Sequence, residues 1–243
     1  MKESGLAAVV FDFDGVIVNT EPLHHAAFCE VLRPLGVDFT WEQYVSHFLG
    51  FDDRDAIREA FRKAGREIGA GPLRHLIDAK AAAFERLAAE RGAEPYPGVE
   101  SLIRRLSGAV PLALCSGALR RDVEPILRRL ALWDRFGVMV TADEVAASKP
   151  DPVSYALAVE RLSAAYPDRG IVPPRCVAIE DTPAGIEAAR GAGLKVLALP
   201  NSYDRARLRT AHHILDTLEN VNLGDLERLV AAPGGEGGCQ GAS

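Results

Sequence analysis

The chain has 243 residues, 48% of them hydrophobic and 26% charged, with a formal net charge of -6 at pH 7. That length and composition suit one sizeable globular core, or a core carrying a smaller partner. Basic residues are dispersed among acids, which argues against a nucleic-acid surface, and no apolar run approaches the roughly 18 to 20 residues that span a bilayer.

In chain order, the apolar run 6–11 predicts a buried strand that ends at Asp12-Phe13-Asp14-Gly15. Residues 19–93 follow, with amphipathic segments at 23–35, 41–48, 54–64 and 73–91 and no convincing strand, so they predict a helical cap. The outgoing connection falls near Val18 to Glu21. The return passes through Glu94-Pro95-Tyr96-Pro97-Gly98, a punctuation cluster suited to a hinge. Helical spacing at 99–107, 119–130, 153–164 and 184–192 then alternates with β-type runs at 110–115, 138–141, 175–180 and 194–199, with a short one at 213–215. Thr182-Pro183 is a good helix start. Such alternation predicts a parallel α/β sheet. The expected domains are a catalytic core at 1–18 and 94–230, the cap at 19–93, and a tail at 231–243 too rich in glycine to pack. Cys29, Cys115, Cys176 and Cys239 fit no metal-ligand spacing, and the three within apolar segments read as buried free thiols, with a redox-sensitive neighbour of the site as the alternative for Cys115.

Ligands of a doubly wound sheet bind outside the carboxyl ends of its strands, so polar residues at several such ends should gather. Asp12 and Asp14 can face one small volume because alternate side chains of an extended segment point the same way, and Gly15 permits a sharp turn. Alone, Asp-x-Asp-Gly is equally a solvated turn. Ser116-Gly117 follows the run 110–115, Glu180-Asp181 closes 175–180, and Lys149 stands in Ser148-Lys149-Pro150-Asp151-Pro152. Together these offer two groups of acids for a hard cation, a hydroxyl beside backbone NH groups, and one ammonium. A phosphate ester bound with Mg2+ satisfies that inventory. A carboxylate held in line with phosphorus can attack it to give an aspartyl-phosphate. Asp12 is the expected nucleophile, and Asp14 the acid for the leaving alkoxide and later the base for water. Ser116, Gly117 and Lys149 are expected to hold phosphoryl oxygens.

These residues resemble the haloacid dehalogenase superfamily. DFDGVIVNTE carries its first motif, Ser116 the second, Lys149 the third and Glu180-Asp181 the fourth, so the resemblance covers nearly the whole chain. The insertion after the first motif is similar to the small helical-cap subgroup, which includes β-phosphoglucomutase and phosphoglycolate phosphatase. The resemblance implies an α/β fold with a Rossmann-like parallel-sheet core and an inserted α-helical cap. It also implies Mg2+ held by the Asp12 carboxylate, the Asp14 main-chain carbonyl and Asp181, with Glu180 supporting directly or through water. True haloacid dehalogenases lack the second aspartate, so Asp14 favours phosphate-ester chemistry. Gly117 departs from the asparagine many relatives carry. In the cap, Lys80 is similar to a lysine that reaches substrate, with a helix-surface lysine as the alternative. The segment 49–54 is similar to a substrate-selecting loop, with Arg54 either an anion contact or a partner of Asp53 or Asp55. Only one of His24 and His25 is expected to point inward, Glu21 reads as a helix N-terminal acid, and His212-His213 as a strand edge.

The leading functional reading is a Mg2+-dependent phosphatase acting on a small phosphate monoester of the sugar-phosphate or phosphoglycolate type. A sugar phosphomutase similar to β-phosphoglucomutase is the alternative, and a non-catalytic binding protein the third. The expected partner is a small phosphorylated metabolite, with no nucleic acid or membrane, in a cytoplasmic monomer or weak homo-oligomer.

Overall fold

The structure, a computed structural model, describes residues 5–48, 51 and 53–232. It divides into two compact units, Val18–Glu94 and the chain on either side of it.

In the larger unit, β1 (Ala8–Phe11) is the first strand of a six-stranded sheet. At the two points where the chain passes from one unit to the other are two-residue strands, β2 (Val18–Asn19) and β3 (Glu94–Pro95), which pair with each other. The sequence shows no strand there because two residues cannot display a period of two. The smaller unit holds the helices α1 (Glu21–Leu32), α2 (Trp41–His47), α3 (Asp53–Lys63) and α4 (Ala70–Arg91). Pro34 sits in a short 3-10 turn, Arg33–Leu35, which closes on Gly36 in the left-handed region (φ 72°), so the first helix is shorter than its apolar spacing suggests. Thr40 and Gln43 form a reciprocal capping box at the start of α2. Phe28, Leu32, Phe39, Tyr44, Ile57, Phe61 and Leu73 pack into this unit's own core.

The larger unit continues through α5 (Val99–Leu106), β4 (Leu112–Cys115), α6 (Arg120–Arg129), β5 (Val138–Val140), α7 (Val153–Ala165), β6 (Cys176–Glu180), α8 (Pro183–Gly191), β7 (Lys195–Ala198), β8 (His213–Ile214) and α9 (Leu223–Ala231). All five strand pairings are parallel, in the order β5-β4-β1-β6-β7-β8. The central strand aligns Val10 with Ala113 on one side and Ala178 on the other. Its four residues are wholly buried, as a parallel strand covered on both faces requires. Alternate residues Ala8, Val10, Ala113, Cys115, Ala178 and Val196 share one face with Tyr155, Ala158 and Leu162 of α7 and Ile186 and Ala189 of α8.

The six expected strands are all present but shorter. β4, for instance, begins after Pro111, which has no NH to give a ladder. A capping box between Asn222 and Asp225 opens α9, which runs to Ala231, and residues 233–243 of the expected tail, including Cys239, lie outside the described residues. Among the described residues no helix is long and apolar enough to cross a membrane, and Cys29, Cys115 and Cys176 are free and buried.

Candidate active site

The three adjacent strands β4, β1 and β6 end at one place. Asp12 leaves β1 with its NH still donating to the Ile179 carbonyl at 3.0 Å, and Ser116 leaves β4 with its NH on the Val140 carbonyl at 2.9 Å. Glu180 is the last residue of β6 and Asp181 the next, both completely buried. Lys149, from the loop between β5 and α7, ties these ends together. Its Nζ donates to Asp12 Oδ1 at 2.5 Å, to Glu180 Oε1 at 2.6 Å and to the Cys115 carbonyl at 3.2 Å. Asp12, Lys149, Glu180 and Asp181 therefore meet, with Ser116 at the neighbouring strand end. Asp14 is half-buried and close enough for its charge to act on Asp12.

The turn after Asp12 depends on Gly15. It adopts φ 79°, and a Cβ there would stand 1.8 Å from Asp181 Oδ2. Asn201, just past β7, donates to the Gly15 carbonyl at 2.7 Å and fixes the turn. Gly117 lies in open space, so a larger residue would fit there and its departure from the family pattern is not steric. The Ser116 hydroxyl oxygen accepts the Ala118 NH at 2.9 Å, which curls the backbone after β4.

Three carboxylates around one ammonium leave an excess of negative charge in a dry place. Burial first, then the Glu180 and Asp14 charges, push Asp12 up to about 8 against the pull of Lys149. Burial, Asp12 and Glu180 likewise hold Asp181 well above the usual carboxylate range. Burial opposes the Lys149 charge, but Asp12 and Glu180 outweigh it and keep the ammonium well above its ordinary pKa. Oxygens of Asp12, Glu180 and Asp181 lie within 4.8 Å of one another, and no hydrogen bond of ordinary geometry reaches either Asp181 oxygen, although the nearby Ser202 hydroxyl tempers its raised pKa. A buried, unpaired carboxylate is costly unless a cation takes it up. With the cradle that Gly15 leaves open, Asp181 and the Asp12 oxygen that Lys149 leaves free fit a hard divalent metal ion.

Three contributors escape sequence reasoning: Tyr155, Thr182 as a donor, and Asn201. The Tyr155 hydroxyl donates to Glu180 Oε1 at 2.7 Å, and Thr182 Oγ1 to Glu180 Oε2 at 3.2 Å. The available signal was a lone tyrosine on an otherwise apolar helix face, since a buried phenol must find an acceptor.

Within the smaller unit, Lys80 is 2% exposed, which removes the helix-surface reading. Its Nζ reaches Asp53 Oδ1 at 2.6 Å and His24 Nδ1 at 2.8 Å and lies over the rings of Phe28 and Phe84. Burial and the Lys80 charge hold His24 well below the ordinary histidine range, so it accepts from the lysine. His25 is engaged elsewhere, with Nε2 3.2 Å from the Phe39 carbonyl. Glu21 accepts the Tyr44 hydroxyl at 2.5 Å. Arg54 is exposed at the start of α3. Leu49, Gly50 and Asp52 of the expected substrate-selecting loop lie outside the described residues.

The family model for haloacid dehalogenase-like hydrolase matches residues 9–199, which take in every strand end just described. The chain belongs to the haloacid dehalogenase-like hydrolases. Protein CbbY of Cereibacter sphaeroides is 32% identical to this hydrolase over 231 residues, 92% of the chain and 96% of that protein. A phosphorylated carbohydrates phosphatase of Thermotoga maritima is 32% identical over 78% of the chain and 83% of its own length. The crystal structure of CbbY from Rhodobacter sphaeroides in complex with phosphate superimposes with a TM-score of 0.78 at 31% identity, covering 91% of this hydrolase and 99% of that chain. The hydrolase thus has the family's Rossmann-like core and helical cap.

Proposed function

We propose that this hydrolase is a Mg2+-dependent phosphatase that cleaves a small phosphorylated sugar-type monoester through an aspartyl-phosphate on Asp12. The observation that carries the reading is the ammonium of Lys149 set between Asp12 and Glu180, beside the buried carboxylate of Asp181. In support, the Thermotoga relative is named for phosphorylated carbohydrates and the Rhodobacter structure holds phosphate.

Asp12 attacks phosphorus, and the ester P–O bond breaks as the new O–P bond forms. Asp14 gives its proton to the departing alkoxide. A water then attacks the phosphorus, Asp14 takes that water's proton, and the Asp12–phosphorus bond breaks to release inorganic phosphate. Lys149 and Ser116 hold the non-bridging oxygens throughout. Held by Asp12, the Asp14 main-chain carbonyl and Asp181, Mg2+ would supply positive charge opposite the transferring phosphoryl group. Of the cap residues, Lys80 is the stronger candidate to meet substrate hydroxyls, because Asp53 and His24 already place its ammonium, and Arg54 the weaker.

Phosphate release from a panel of sugar phosphates, phosphoglycolate and an aryl phosphate is the test. Release that stops when EDTA removes Mg2+ is expected, and no release from any ester overturns the proposal. Conversion of an aldose 1-phosphate without release would select the mutase. Asp12→Asn should abolish the acid-stable phosphoenzyme and lower turnover by at least about 10³-fold. Wild-type turnover in that variant contradicts the role given to Asp12.

A further inference from the structure

We propose that Glu180 is the anchor of Lys149 rather than a metal ligand, and that Tyr155 is the positioning residue that fixes the pair. The inference deepens the phosphatase reading and rests on it only for the identity of the reaction.

A carboxylate offers about four lone-pair sites. Around Glu180 five donors already compete for them. Oε1 accepts the Lys149 ammonium at 2.6 Å and the Tyr155 hydroxyl at 2.7 Å. Oε2 accepts the Asp181 NH at 3.1 Å, the Thr182 NH at 3.3 Å and the Thr182 hydroxyl at 3.2 Å. The group cannot withdraw, because a Cβ on Gly185 would lie 1.9 to 2.1 Å from the carboxyl atoms, so the α8 backbone walls it in. Asp181, the next residue, is the opposite case: it is completely buried, no hydrogen bond of ordinary geometry reaches either oxygen, and the Ser202 hydroxyl acts on it from a distance. A hard cation seeking oxygen ligands finds them at Asp181 and on the Asp12 oxygen that Lys149 does not take, not at Glu180.

Tyr155 touches both members of the pair. Its hydroxyl fixes the Glu180 carboxylate, and its ring lies 5.1 Å from Lys149 Nζ, within reach of a cation–π attraction. The residue is completely buried, six positions beyond Lys149 on the first turn of α7, so the loop carrying the lysine and the helix that follows it are locked to the same carboxylate.

The test uses calorimetric titration of the full chain with Mg2+ alone, and then with inorganic phosphate at saturating Mg2+. Asp181→Asn should weaken Mg2+ binding by about 30-fold or more, whereas Tyr155→Phe and Glu180→Gln should change it by less than about 3-fold. In the phosphate arm both of the latter should weaken binding by about 10-fold, because Lys149 loses its fixed position. The sign matters. If Glu180 acted only through its negative charge, Glu180→Gln would tighten the binding of an anion. Equal loss of Mg2+ affinity in Glu180→Gln and Asp181→Asn overturns the anchor assignment, as does tighter phosphate binding in Glu180→Gln. Unchanged phosphate affinity in Tyr155→Phe overturns the role of the tyrosine. Should Glu180→Gln not fold, Glu180→Asp, which draws the carboxylate back from Lys149 and Tyr155, answers the same two questions. Binding that follows this pattern without hydrolysis of any ester would leave the assignment standing and remove only the phosphatase reading.

Discussion

Gly15 shows how much of the site rests on one missing side chain. Its φ of 79° lies where a Cβ costs roughly 1 to 2 kcal/mol, and that Cβ would also collide with Asp181 Oδ2. Gly15→Ala should therefore lose Mg2+ binding by calorimetry and lower turnover by at least about 100-fold while the protein still melts cooperatively; near-normal Mg2+ affinity would mean Asp181 has room to spare. At this scale Asp12, Asp14, Ser116 and the Glu180-Asp181 pair were legible because polar residues stood where apolar runs stopped, and Lys149 because a lone cation stood in a proline-restricted loop. Tyr155 was not legible. Its aromatic body belongs to the core, and only the far end of its hydroxyl touches the chemistry, a distinction that residue type alone does not carry.

At the level of elements, the site is made by strands stopping together and by one helix starting well. Thr182 caps α8 by accepting the Gly185 NH at 3.0 Å while its hydroxyl donates to Glu180. Thr182→Ala should cost about 1 kcal/mol, a drop of roughly 2 to 4 °C in melting temperature, and should also weaken phosphate binding, since one Glu180 donor goes. A stability loss with no change in phosphate affinity would make the cap purely structural. The strands and long helices were legible from apolar alternation and Gly/Pro punctuation. The paired strands β2 and β3 are too short for any period, and α9 was passed over because the glycine-rich composition just beyond it masked the capping box at Asn222.

For the whole molecule, the buried carboxylates link stability to pH. An acid whose folded pKa is raised contributes stability that is full below its unfolded value, 3.8 for Asp12, and is lost as pH rises through its folded value, about 8. His24 and His212 are lowered by burial and act in the opposite direction, but only below about 6.5, so the window from 6.5 to 8 isolates the carboxylates. In EDTA the urea midpoint should fall between pH 6.5 and pH 8.0, and Asp12→Asn should flatten that slope. A midpoint that holds steady or rises in the wild type would show that Asp12 is ionised at neutral pH even without a cation.

The cap leaves and rejoins the core through β2 and β3, and those two short strands lie side by side. A segment spliced in at two touching points behaves as a cassette. A graft from a related hydrolase would need its two stems matched only to β2 and β3, so the helical segment could be exchanged by recombination with its own core intact, while Asp12, Lys149, Glu180 and Asp181 stay in the other unit.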